Sequence, residues 1–501
     1  MSEMVYGIGQ KVPFKKNILF ALQQVFSIII ATILLPVVAD ASGVYLSQSA
    51  ALIGAGVGTI VYLLLTRFKS PVCIGSSFSF VAPIMSALAF GYFGVLFGTI
   101  MAGLVYVILA IVIKFVGVNW INKVMPPVVI GPVVALIGFT LAGGAINNLM
   151  NTSSGVENYS ILSIVIGLVT FFITTFVSVK GGKKLRLYPF LIGILIGYFF
   201  SAILTIFGIV FNVEMLKIID FTIFAKIGDI KNWLPNITIF GFFKEGFSRV
   251  NSFGNLVTIF TAFVPIAFVS FAEHIADHKN LSSIVGKDLL KDPGLARTLL
   301  GDGLGSMVGA LFCGIPNTTY GESIGCVALS KNASTKTILL AAIMCILIAF
   351  IYPFILFVES IPSCVVAGIC IVLYGFISVS GLRMFKEVDL NDSKNMFVVA
   401  SILISGIGGL FLKFGSVEIS NIACALIVGI LTNILLSPRK KKPISESPEL
   451  LGTKNTITES EQKVITDKSF EQTQKGIAFE EEIETTNPKT VTIKKSNDDV
   501  T

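Results

Sequence analysis

The sequence predicts an all-α polytopic membrane protein. Three observations carry that reading. Of 501 residues, 54% are hydrophobic and only 13% are charged, against about 25% charged in soluble domains. Mean hydropathy is +0.85. The apolar runs are continuous rather than alternating, and many approach the ~20 residues that a helix needs to cross a bilayer. Only helices and closed barrels satisfy their backbone there, so continuous runs are read as helices.

Taken in order, apolar segments fall near 17–39, 46–66, 71–90, 92–114, 126–146, 160–179, 188–211, 256–277, 298–314, 316–330, 336–357, 361–381, 396–412 and 418–437. That is about fourteen transmembrane segments. The first run is longer than a signal-peptide core and lacks a cleavage site, so it is read as a membrane helix. Segments 71–90, 298–314 and 316–330 are short or broken by Pro, Gly and Ser. Basic residues recur in every second loop. They begin with Lys11, Lys15 and Lys16 and end with Arg439 to Lys442. By the positive-inside rule this places both termini in the cytoplasm. The net charge of +7 is therefore read as topology, and the basic run 439–442 as an anchor at anionic lipid rather than a nucleic-acid patch.

The chain divides into a cytoplasmic N-terminus (1–16), a first half of seven segments (17–211), an extracellular loop (212–255), a second half of seven segments (256–437) and a polar tail (438–501). The tail's composition predicts disorder. Seven is odd, so the two halves run in opposite orientation, as inverted repeats. The third segment of each half is the interrupted one: SPVCIGSSFSFVAP (70–83) and CGIPNTTYGESIG (313–325). Paired Gly/Pro interruptions at corresponding positions point to a transporter binding site near the bilayer midplane. The seven cysteines lie in or beside apolar runs without a C-x-x-C spacing, which predicts buried thiols rather than a disulfide frame or a metal site.

Carboxylates at membrane depth cost several kcal/mol and mark function by default. Glu273 and Glu322 are the main ones here. Glu322 lies in PNTTYGESIG, where Pro316 removes a backbone donor and Gly321 allows close approach of a ligand. Small residues at tight helix crossings would explain the same composition; the carboxylate shifts the balance toward a site. The stretch AEHIADH (272–278) holds both histidines of the chain. Glu273 and Asp277 share one helix face, and His274 and His278 the next. The order E-H-x-x-D-H does not match the zinc pattern H-E-x-x-H. Asp277, His278 and Lys279 are read as the point where the helix leaves the membrane. An apolar cavity disfavours a charged carboxyl, so Glu273, one turn deeper, is a group able to take up and release a proton. His274 faces away from Glu273 by helix geometry, and the sequence assigns it no role beyond packing. GDGLGS (301–306) lacks a surrounding βαβ unit and is read as a small-residue helix face or turn.

AEHIADH, KDLLKDPGLARTLLGDGLGS, GIPNTTYGESIGCVALS and LYGFISVSGLR, with ATILLP (31–36) and GSSFSFVAP (75–83), resemble bacterial uracil permeases of the nucleobase–ascorbate transporter family, from about Phe14 to Leu436. The resemblance implies fourteen segments in two inverted repeats, with short strands in interrupted segments 3 and 10. It implies a core domain (segments 1–4 and 8–11) that moves elevator-fashion against a gate domain (5–7 and 12–14), and a homodimer built on the gate. It implies a transporter rather than an enzyme: a uracil:proton symporter of the plasma membrane, with no cofactor beyond the coupling proton. Carried over by position, Glu273 and Glu322 hydrogen-bond the nucleobase. Backbone N–H groups of Phe78 and Gly321 meet its carbonyls, and Ala31, Tyr320 and Tyr374 wall the pocket. Uracil offers two N–H donors and two C=O acceptors, which such a set complements. The family pattern has histidine four residues after the first glutamate. This chain has Asp277 there and His278 next to it, so either one could assist Glu273 in proton coupling. The same fold carrying xanthine or another purine is the alternative substrate reading. An inorganic-ion transporter fits less well, since an anion carrier would want basic residues at the interrupted segments. A membrane enzyme lacks a nucleophile-and-base pair.

Overall fold

The structure, a computed structural model, describes residues 4–40, 45–117, 126–151, 159–182, 185–228, 233, 250, 253–414 and 417–437. The expected polar tail (438–501) lies outside the described residues, as does most of 229–252. Among the described residues, eight helices are long and apolar enough to cross a membrane, or nine if one bent pair counts as a span. In chain order the helices are α1 (Phe14–Ala39), α2 (Gln48–Leu65), α3 (Val81–Ala87) and α4 (Gly91–Val116). Next come α5 (Pro127–Met150), α6 (Ile161–Lys180), α7 (Pro189–Val210) and α8 (Phe253–Val285). The shorter α9 (Leu295–Leu311), α10 (Gly321–Ser330), α11 (Thr335–Ile348) and α12 (Tyr352–Glu359) follow, then α13 (Ser363–Arg383), α14 (Ser393–Ile407) and α15 (Asn421–Leu436).

Interrupted segments 3 and 10 contain the short strands β1 (Ile74–Ser76) and β2 (Asn317–Thr319). They pair antiparallel, Ile74 opposite Thr319 and Ser76 opposite Asn317. Each strand leads into a helical turn: Phe78–Phe80 forms a 3-10 turn before α3, and Gly321 opens α10. Two three-residue strands leave many backbone groups without ladder partners, and these must be satisfied locally. Helix side chains do so. Thr59 of α2 accepts from Ile74 N and donates to Ile74 O. Ser306 of α9 accepts from Asn317 N at 2.9 Å, and Ser323 of α10 from Cys73 N at 3.0 Å.

Close helix crossings hold this frame. Gly54 and Gly58 of α2 meet Gly305 and Gly309 of α9 so closely that a Cβ on Gly305 would stand 2.7 Å from Gly58 O. The GDGLGS stretch is thus a helix face, one of its two sequence readings. The helices pack in two groups. α1, α2, α4, α8, α9, α10 and α11 pack mainly among themselves; α5, α6, α7, α13, α14 and α15 do likewise. The seven thiols are all buried and free.

Three expectations need correction. The eighth segment does not end near Asp277: α8 runs on to Val285 and stops at Gly286, which adopts φ +67°. Leu281 there joins a buried cluster with Tyr62, Val72 and Ile74, while Lys279, Asn280 and Ser283 on the same turns are exposed. Segment 336–357 is not straight, because α11 and α12 are bent by 78° about their break. A second strand pair, β3 (Leu412–Phe414) with β4 (Val417–Ile419), lies where only a loop was expected between two apolar runs.

Candidate substrate-binding site

The predicted residues converge where the strand pair meets α1, α8 and α13. Glu273 on α8 has the Ser79 hydroxyl beside it, and its charge interacts with that of Glu322 in the first turn of α10. Both carboxylates are partly buried. Phe78 and Gly321 each begin a helical turn, and the first N–H groups of a helix have no intrahelical partner. A Cβ on Gly321 would meet nothing within 4 Å, so its backbone borders open space. The site thus combines two acids with two helix starts that supply donors.

Aromatic side chains bound it. Phe78 and Tyr374 of α13 meet edge to face, centroids 6.0 Å apart at 66°. Tyr320 donates to Ser76 O at 2.6 Å and lies over Gly75, where a Cβ would stand 2.8 Å from its ring. Gly75 is required for that approach. Thr32, next to buried Ala31 on α1, closes the same corner. A cleft of about 150 Å³ reaches Glu322 between α1, α10 and the start of α7, with Phe26, Tyr188 and Arg186 on its walls.

Asp277 and His278 part company here. Asp277 accepts from Thr319 Oγ1 at 2.9 Å, which ties the glutamate's helix to β2. His278 is enclosed by protein: it is 1% exposed. Its Nδ1 donates to His274 O at 2.9 Å and its Nε2 lies 2.8 Å from Tyr62 Oη. That hydroxyl is 2.8 Å from Ser70 Oγ. His274 is more than packing. Its Nδ1 lies 2.8 Å from Asp302 Oδ2, with both side chains fully buried. Asp302 was missed because it sits inside GDGLGS, read only for its small residues. A lone acid in an apolar run was the available signal.

The model of the Permease family (Xan_ur_permease) matches residues 15–414. A uracil permease of Bacillus caldolyticus is 36% identical over 443 residues, covering 88% of this chain and 96% of that one. One from Bacillus subtilis (strain 168) is 35% identical, covering 86% and 94%. One from Escherichia coli (strain K12) is 32% identical, covering 93% and 100%. The chain belongs to this permease family. Its fold type is shared more widely. The transmembrane domain of the cyanobacterial bicarbonate transporter BicA aligns with a TM-score of 0.55 at 14% identity, over 85% of this chain and all of that one. SLC26A9 aligns with 0.59 at 12%, over 85% and 66%.

Proposed function

We propose that this protein imports uracil across the plasma membrane by proton symport. One observation carries the reading: Glu273 and Glu322 lie together beside the starts of two helices that follow a paired strand. The acids accept from the two ring N–H groups, and the N–H groups of Phe78 and Gly321 donate to the carbonyls. Ala31, Tyr320 and Tyr374 flank the ring. Curated relatives named uracil permease support the choice of substrate. Glu273 exchanges the coupling proton, assisted by Asp277, with His278 one residue further on; no other cofactor is needed, and the protein is not an enzyme.

The fold supports an elevator cycle. In this reading the chain crosses the membrane as fourteen segments in two inverted repeats, which the paired interruptions at β1 and β2 support. The group containing α1–α4 and α8–α11 is the core, and the group containing α5–α7 and α13–α15 is the gate and the homodimer face. Both termini are cytoplasmic. In support, Val5 N and Tyr6 N donate to Lys331 O, and Lys69 pairs with Asp292 at 2.7 Å. Each contact joins loops that charge assigns to the same side.

Radiolabelled uptake into proteoliposomes tests this reading. Uracil should accumulate under an inward proton gradient, and Glu273→Gln should abolish accumulation. Uptake indifferent to the gradient removes symport. Uptake of xanthine in place of uracil moves the protein to purines.

A further inference from the structure

The nucleobase site does not use the buried pair behind it. His274 and Asp302 are each 0% exposed. Among the described residues, no Lys or Arg forms an ion pair with Asp302. Among the described residues, Asp302 Oδ1 lacks a close hydrogen-bond partner, while Thr318 and the Thr319 N–H act on the carboxylate and the Tyr106 hydroxyl lies by Thr318 and Ser270. A buried carboxylate that no Lys or Arg matches is costly unless a proton or a cation completes it.

The hydrogen bonds indicate which. His274 Nε2 lies 3.0 Å from Thr298 Oγ1, and that hydroxyl is also 3.0 Å from Leu295 O, which can only accept. Two proton inventories fit the same heavy atoms. In the first, Thr298 donates to Nε2, and Nδ1–H donates to the Asp302 carboxylate; the pair carries one negative charge. In the second, Nε2 bears an added proton and donates to Thr298, whose hydroxyl turns to Leu295 O. One proton then lies between Nδ1 and Oδ2, and the pair is neutral. A single hydroxyl rotation accommodates the gain of one proton. His278 offers no such choice. Its Nδ1 must donate to a carbonyl, and the Tyr62 and Ser70 hydroxyls, 2.8 and 3.4 Å away, can satisfy its neutral Nε2.

We propose that the His274–Asp302 pair is a second proton-holding site, whose occupancy is conveyed to the nucleobase site through β2. This rests on the symport reading above. Strand β2 touches both acids: Thr318 Oγ1 approaches Asp302 Oδ2 at 3.4 Å, and Thr319 Oγ1 donates to Asp277. The next residues are Tyr320, Gly321 and Glu322. The charged and titratable groups facing the pair are Glu273, Asp277 and His278 on α8, Tyr62 on α2 and Tyr106 on α4. An ionised Glu273 and an ionised Asp302 disfavour each other, so the two protons are coupled.

The chain has only two histidines, so ¹⁵N-histidine NMR of the protein in lipid reads the site directly. His274 should pass from one protonated ring nitrogen to proton sharing at both as pH is lowered from roughly 9 to 5. Asp302→Asn should remove that transition. In proteoliposomes the same variant should lower gradient-driven accumulation about tenfold or more while uracil–uracil exchange persists. Thr298→Ala keeps the pair but deletes the rotor, and should move the midpoint of the His274 transition. A His274 signal unchanged over this range overturns the proposal. So does a sodium-dependent transition in place of a pH-dependent one, or equal loss of exchange and accumulation in Asp302→Asn. The NMR measurement needs no substrate. A protein that carries no uracil but whose His274 behaves as described therefore sinks the transport reading and supports the site.

Discussion

Polar side chains at membrane depth are held in place by specific partners. Tyr62 supplies the hydroxyl at His278 Nε2 and also meets Ser70. Tyr62→Phe removes the closer of the two hydroxyls at that buried nitrogen, leaving only Ser70 Oγ at 3.4 Å, at a cost of about 1 kcal/mol. The unfolding midpoint in detergent should fall, and an unchanged midpoint would contradict the role given to this hydroxyl. Thr319→Val deletes the donor to Asp277, at a cost of about 1–3 kcal/mol. Because Thr319 immediately precedes Tyr320 and Glu322, uracil affinity should fall along with stability. Some of this was legible in the chain. A carboxylate in an apolar run announces itself, so Glu273 and Glu322 stood out. Asp302 is the same signal, masked by four neighbouring small residues. Its partner could not be read at all, since His274 lies 28 positions away and only the α8–α9 packing brings the two together.

At the scale of elements, glycines set how closely α2 and α9 approach. Gly305→Ala puts a methyl group 2.7 Å from Gly58 O. Backbone cannot yield as a flexible side chain does, so overpacking should cost about 1–3 kcal/mol. Gly143→Ala is the contrasting case. It lies within α5 with nothing within 4 Å of the added carbon, and a helix-interior alanine should stabilise by about 0.5–1 kcal/mol. Thermal unfolding of both variants checks the pair; equal effects would contradict the packing described. The strands in the interrupted segments were foreseeable from Gly and Pro, together with the family resemblance. Two features had signals that hydropathy overrode. Gly286 was a readable stop for α8. Gly415-Ser416 between short runs was a hairpin signal, hidden between longer apolar segments.

For the whole molecule, the division of helices into two packing groups makes relative motion the central expectation. Phe26 of α1 and Tyr188, just before α7, meet edge to face with centroids 6.1 Å apart, one from each group. Replacing both with cysteine and joining them with a short bifunctional reagent should stop uracil uptake while leaving binding measurable. The seven native thiols are buried, so the reagent addresses the introduced pair. Unimpaired uptake in the linked protein would contradict an elevator in which these groups separate. The sorting of helices into groups was not readable from hydropathy, which identifies segments but not their neighbours; it was expected through the family resemblance alone.

The account depends most on two acids and two helix starts forming one nucleobase site. Equilibrium binding of radiolabelled uracil to purified wild type, Glu273→Gln and Glu322→Gln tests that directly. Losing a hydrogen bond to a charged group costs about 1.5–3 kcal/mol, so each variant should weaken binding by roughly 10- to 150-fold. Saturable wild-type binding that both variants leave intact would place the substrate elsewhere and contradict the site.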